Sequence, residues 1–192
     1  MMRIMFRFVI AMAVFSATLI LTCEAKAGLL PTNETQKEDG NNFRYSYGIV
    51  LSSDSTLKTG DYFTIYDFDG IVSGSNMQPA GFTFSTQNVG TTPHGTAPTD
   101  NPNIANITWT YTGPTITGDA ILGIFSVDSR LSTPTDGVLT AQTHRQQDDK
   151  VDANITEAKI PVPVSIPEPA SLALVGIGLP LIGLFRRLRR RA

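Results

Sequence analysis

Two histidines, one cysteine and a scatter of aspartates, glutamates and serines are what this chain offers for acid–base, nucleophilic or metal chemistry. His94 and His144 stand in separate polar stretches. Neither belongs to an H-x-x-x-H or accompanies a C-x-x-C, so the spacing that builds a zinc site is missing. No G-x-S-x-G elbow marks a serine nucleophile, and no glycine-rich loop of the phosphate-cradling kind occurs. Asp67, Asp69 and Gly70 form an Asp-x-Asp-Gly fragment that could open a calcium loop, but the later bidentate glutamate of such a loop is absent. An Asp-Gly turn at a strand end is the simpler reading. Asp148, Asp149 and Asp152 could also hold calcium, and read first as an exposed acidic turn. Trp109 and Tyr111 lie two residues apart, so on a strand they share a face and could stack on a sugar; rings at that spacing more often fill a core. Asn33, Asn106 and Asn154 each head an Asn-x-Thr triplet, which a Thr-rich chain produces by chance. We therefore expect no catalysis and no resident cofactor, calcium being the one ion that any spacing suggests.

Strands must position these residues. Phe43, Tyr45, Tyr47, Ile49 and Leu51 alternate with Arg44, Ser46 and Gly48, the period of a strand with one buried face. Tyr62 to Phe68 is apolar on both faces and reads as a central strand. Asp69-Gly70 is a hairpin signal, with Ile71-Val72 beginning the return. Phe82 and Phe84 mark a short strand, and Ile107, Trp109 and Tyr111 another, broken by Gly113-Pro114. Ile121 to Val127 reads as a strand, Ser132 to Gly137 as a turn, and Val138 to Thr140 as a weak strand. His144 to Asp152 reads as a charged hairpin or loop, and Ile155 to Ile160 as a last edge strand. Leu29 to Asn42 is a polar lead, and Ser85 to Ala105 one long loop. No window sustains helical spacing. The expected fold is all-β, a single antiparallel β-sandwich or jelly-roll-like domain over 28–160, with Pro161 and Pro163 opening a stiff stalk over 161–166.

Both ends of the chain differ from this body. Arg3 and Arg7, the apolar Phe8 to Thr22 and the small-x-small Ala25-Lys26-Ala27 have the layout of a secretory signal peptide over 1–27, cut after Ala27. The rival reading makes Cys23 a lipoprotein acceptor, for which Thr22 is a poor preceding residue. Cleavage after Ala27 removes the only cysteine, so the mature chain has neither disulfide nor thiolate. Between Gly28 and Val164, seven basic residues face fifteen acidic ones, a formal charge of −8. An acidic body of this kind argues against nucleic-acid binding, which needs a basic patch.

At the other end Pro167-Glu168-Pro169 is followed by an uncharged apolar run from Ala170 to Phe185, then by Arg186, Arg187, Arg189, Arg190 and Arg191. The run reads as a transmembrane helix, short against the roughly 20 apolar residues of an ordinary span. The arginines stay on the cytoplasmic side, which places the body beyond the membrane. This order resembles the C-terminal sorting signal of PEP-CTERM proteins, exosortase substrates of Gram-negative bacteria that make exopolysaccharide. The resemblance covers about the final thirty residues. It implies that Pro167, Glu168 and Pro169 are the recognition element and Arg186 to Arg191 the stop signal. Pro180 inside the apolar run is a departure that membrane helices tolerate. The stretch Gly60 to Tyr111 is similar to bodies of PEP-CTERM proteins and brings no catalytic residues with it. The resemblance implies export, passage through the inner membrane by way of signal peptidase and an exosortase, and delivery to the cell surface or an extracellular, biofilm-type matrix. The expected role is structural or interactive. The alternatives are a carbohydrate-binding module using Trp109 and Tyr111, a permanently anchored periplasmic domain, and a hydrolase using a scattered Asp/Glu pair.

Overall fold

The computed structural model describes residues 28–163, and these form ten strands and no helix. None of the described residues belongs to a helix able to cross a membrane. The leader over 1–27 and the tail from residue 164 onward lie outside the described residues.

Two antiparallel sheets face each other. The smaller has the order β1 (Leu29–Asp39), β2 (Asn42–Leu51), β8 (Ala120–Ser129). The larger contains β3 (Ser55–Leu57), β4 (Tyr62–Ile65), β5 (Phe82–Gln87), β6 (Asn106–Tyr111), β7 (Ile116–Thr117) and β9 (Thr133–Arg145), and β10 (Val151–Val162) pairs with β9 along its length. The alternation in β2 works as expected: Tyr45, Tyr47, Ile49 and Leu51 point into the core, with Phe43 half-buried at the end. Aromatic rings join the layers. Phe125 of the small sheet meets Phe63, Trp109 and Phe82 of the large one edge-on, at centroid distances of 5.0, 5.5 and 4.8 Å. Such edge-to-face pairs add specificity to the burial that drives the two sheets together.

Four segments depart from the sequence expectation. Leu29 to Asn42 is not a lead but largely β1, turning into β2 through Gly40-Asn41 with Gly40 at φ +62°. It is polar because it is an edge strand, and Pro31 and an irregularity between Thr32 and Thr35 are features that edges accommodate. Asp69-Gly70 does turn the chain, but the return does not pair with β4. Ile71 bridges to Ser129, and Arg130 N–H donates to the Gly70 carbonyl at 2.9 Å, so the chain crosses to flank β8. Ser132 to Gly137 is the start of the longest strand, not a turn. Its Pro134 and Gly137 oppose Pro161 and Ala158, and Gly137 leaves the space that the Ile160 side chain fills. The ladder therefore continues through Pro161 and Val162, which the sequence assigned to the stalk.

The long loop has a role in this architecture. The outward faces of β4, β6 and β9 present Thr64, Thr108 and Thr140, all at most 3% exposed, because residues 88–105 lie across them. Tyr66 O–H and Thr64 Oγ1 donate to the Thr91 carbonyl at 3.0 and 3.2 Å. β4 is thus buried on both faces, one against the small sheet and one beneath the loop.

Candidate functional site

The richest grouping of polar side chains sits at one pole of the sandwich, where β9 ends, β3 begins and the β9–β10 turn projects. Asp61 is 1% exposed there, an uncommon position for a carboxylate. It accepts the Lys58 backbone N–H at 2.8 Å and Gln142 Nε2–H at 3.3 Å, and lies 3.1 Å from His144 Nδ1. These contacts tie the Lys58–Asp61 turn to β9. Among the described residues His144 is hydrogen-bonded to Asp61, and no Ser or Thr hydroxyl is hydrogen-bonded to its ring. Lys58 Nζ donates to Asp149 at 2.6 Å, and this hydrogen bond, with the lysine charge behind it, holds that carboxyl below the usual carboxylate range. Beside them a cleft of about 420 Å³ is lined by Ser53, Asp54, Arg145, Gln146 and Gln147. The arrangement is polar, hydrogen-bonded and open to solvent.

The aromatic pair considered for sugar stacking lies elsewhere. Trp109 is 0% and Tyr111 3% exposed. Trp109 stacks on Phe63 at 5.1 Å and packs against Phe84, while Tyr111 packs on Phe82. Neither ring offers a free face, so this fold provides no sugar platform from them. The spacing that could make a platform has made a core.

The Asp67–Gly70 fragment builds a clamp on the long loop. Asn106 is fully buried; its Oδ1 accepts Asp67 N–H at 2.8 Å and its Nδ2 donates to Asp100 Oδ1 at 2.9 Å. Asp67 Oδ1 accepts Asn101 N–H at 2.8 Å, and Asp69 Oδ1 accepts Gly70 N–H at 2.6 Å. Backbone donors thus occupy one oxygen of each aspartate, and Asp67 sits at φ +56°, as Asp tolerates in a tight turn. Asp148 pairs with Arg145 and Lys150 rather than joining Asp152. Among the described residues no three His, Cys, Asp or Glu side chains gather as a metal site would require. His94 is exposed on the loop. Of the Asn-x-Thr triplets, Asn106 is closed off inside the clamp and Asn154 is hydrogen-bonded to Leu29, leaving Asn33 exposed.

The sorting residues Pro167, Glu168 and Pro169, the run 170–185, Arg186, Arg187, Arg189, Arg190 and Arg191, and the cleavage residues Ala25 and Ala27 lie outside the described residues. Residues 165–191 match the family described as "PEP-CTERM protein-sorting motif". No curated protein matches the chain. Among solved structures, a cohesin module from a Clostridium perfringens ATCC13124 family 33 glycoside hydrolase is similar over 67% of this chain and 96% of its own, at 19% identity and a TM-score of 0.36. The GAE domain of GGA2p from Saccharomyces cerevisiae is similar over 70% of this chain and 98% of its own, at 9% identity and a TM-score of 0.32. At those scores neither similarity bears on role.

Proposed function

We propose that this chain, which carries the PEP-CTERM protein-sorting motif at residues 165–191, is an exported cargo of an exosortase and works outside the cell as a structural or interaction protein. The sorting motif is the observation that carries this reading. Signal peptidase removes 1–27, the tail holds the protein in the inner membrane, and recognition at Pro167-Glu168-Pro169 passes the sandwich to the surface or to an exopolysaccharide matrix. The body suits that role. Its large aromatics are consumed in packing, its surface is acidic, and its long loop closes a sheet face.

Intact mass and terminal sequencing of the protein from cells and from matrix test the proposal. A chain that starts at Gly28 and ends near Pro167 is the expected result. A chain still ending at Ala192 in the inner membrane overturns it, and makes the body a permanently anchored periplasmic domain.

A further inference from the structure

The first described residue occupies a site out of proportion to an ordinary strand start. The Gly28 nitrogen lies 2.9 Å from Ser52 Oγ and 2.8 Å from Ser55 Oγ, so two hydroxyl oxygens converge on one donor. The hydroxyls are 2.8 Å apart, and Ser52 O–H donates to Asp54 Oδ1 at 2.8 Å, which turns the serine lone pairs toward Gly28. Ser55 is fully buried, and Gly28 is buried with it. The Gly28 carbonyl accepts Ser52 N–H at 3.0 Å, while Asn154 on β10 brackets Leu29 with one bond to its N–H and one to its carbonyl. Only glycine fits: φ is +102°, and a Cβ would lie 2.0 Å from Asn154 Oδ1.

A peptide N–H has one proton and cannot serve both serines well. An α-ammonium has three. We propose that Ser52, Ser55 and Asp54 form a docking site for the α-ammonium of Gly28, created when the leader is cut. The proposal rests on the reading of 1–27 as a removed signal peptide. Hydrolysis of the Ala27–Gly28 bond leaves a carboxylate on Ala27 and an amine on Gly28. Free α-amines titrate near 7.7–8.0, so this amine takes up a proton at neutral pH. The new cation then donates to both serine oxygens, with the Asp54 carboxylate behind them, replacing one shared neutral bond by charge-assisted ones. Cleavage thereby fastens more firmly the start of β1, an edge strand that bridges to β10, in the exported, processed chain.

The test uses the mature protein recovered from exporting cells, with its first residue sequenced. Acetylation by a succinimidyl ester at pH 7 is followed at the N-terminus by mass spectrometry, in the folded protein and in urea. The expected result is a Gly28 start, with the amine acetylated at least about tenfold more slowly when folded. Asp54→Asn keeps the shape of this exposed side chain but removes its charge, so it should speed the reaction severalfold without changing the cut. Ser52→Ala serves the same purpose where Asp54→Asn fails to fold. Equal labelling of folded and unfolded Gly28 overturns the docking site, as does a folded Asp54→Asn that reacts no faster. A mature chain starting elsewhere overturns the cleavage reading beneath it.

Discussion

Trp109 shows how one residue type serves opposite ends. On a sheet surface its ring would be a sugar platform, but here Phe63, Phe84 and Phe125 enclose it. As the chain's single tryptophan it reports this directly: emission should be blue-shifted, resistant to acrylamide, and unchanged by matrix polysaccharide. Red-shifted emission or quenching by a glycan would contradict the packing. Truncation in Trp109→Ala should cost about 3–5 kcal/mol in urea unfolding, the range for emptying an aromatic core site. Glu34 makes a different case. Burial pushes its carboxyl above the ordinary carboxylate range, and the Lys159 N–H and ammonium only partly oppose this. Its Oε2 accepts that N–H at 3.2 Å while Oε1 is buried without a partner. A raised carboxyl binds its proton more tightly folded than unfolded, so its contribution is favourable below the ordinary value of about 4.3 and is lost as pH rises through the folded one. Glu34→Gln should therefore raise the melting temperature at pH 7, with the gain shrinking to nothing below about pH 4. A gain that persists unchanged into acid would refute this account.

Among elements, the loop 88–105 behaves as part of the sheet it covers. Asn106 holds it by satisfying Asp67 N–H and Asp100 from a fully buried position. Asn106→Ala would strand those partners, at about 1–3 kcal/mol, and should open the loop to protease well before global unfolding. Cleavage confined to strands, with the loop intact, would show that the clamp does not matter. How far such elements were legible depended on where their determinants lie in the chain. The alternation of β2 and the double-sided burial of β4 are written in consecutive residues, so both could be read. β1 was missed because an edge strand that faces solvent needs few apolar residues, and Thr-Asn-Glu-Thr reads as loop. The start of β9 was missed because Pro134, Asp136 and Gly137 are turn residues in isolation, and only β10 opposite makes them a strand. The clamp joins residues 34 and 39 positions apart, and the Gly28 socket residues 24 and 27 apart, so no local window contains either. The sorting motif was legible for the opposite reason, being contiguous.

The described residues have two unlike poles, with Val162 at the one opposite Gly28. Gly28, Leu51, Ser55 and Arg145 gather at one end through the Ser52–Gly28, Ser55–Arg145 and Gln146–Asp54 backbone contacts. Val162 lies opposite Thr133 at the other end, four residues beyond Ser129, where Arg44 joins Asp39 and Asp128. A body tethered through residue 164 therefore turns the Ser53–Gln147 cleft and the α-amine site away from its attachment. The same layout separates folding from sorting. The described core runs from Leu29 to Val162, so its ladder is complete before the sorting motif begins. Ending the chain after Pro163 should leave the melting temperature of the processed body within about 2 °C of the full-length value, since no mechanism of large destabilisation is engaged. Delivery should change completely, with the truncated protein soluble in the periplasm and missing from the surface fraction. Loss of cooperative melting would mean that the tail is part of the fold. Surface delivery without it would mean that the body carries its own address.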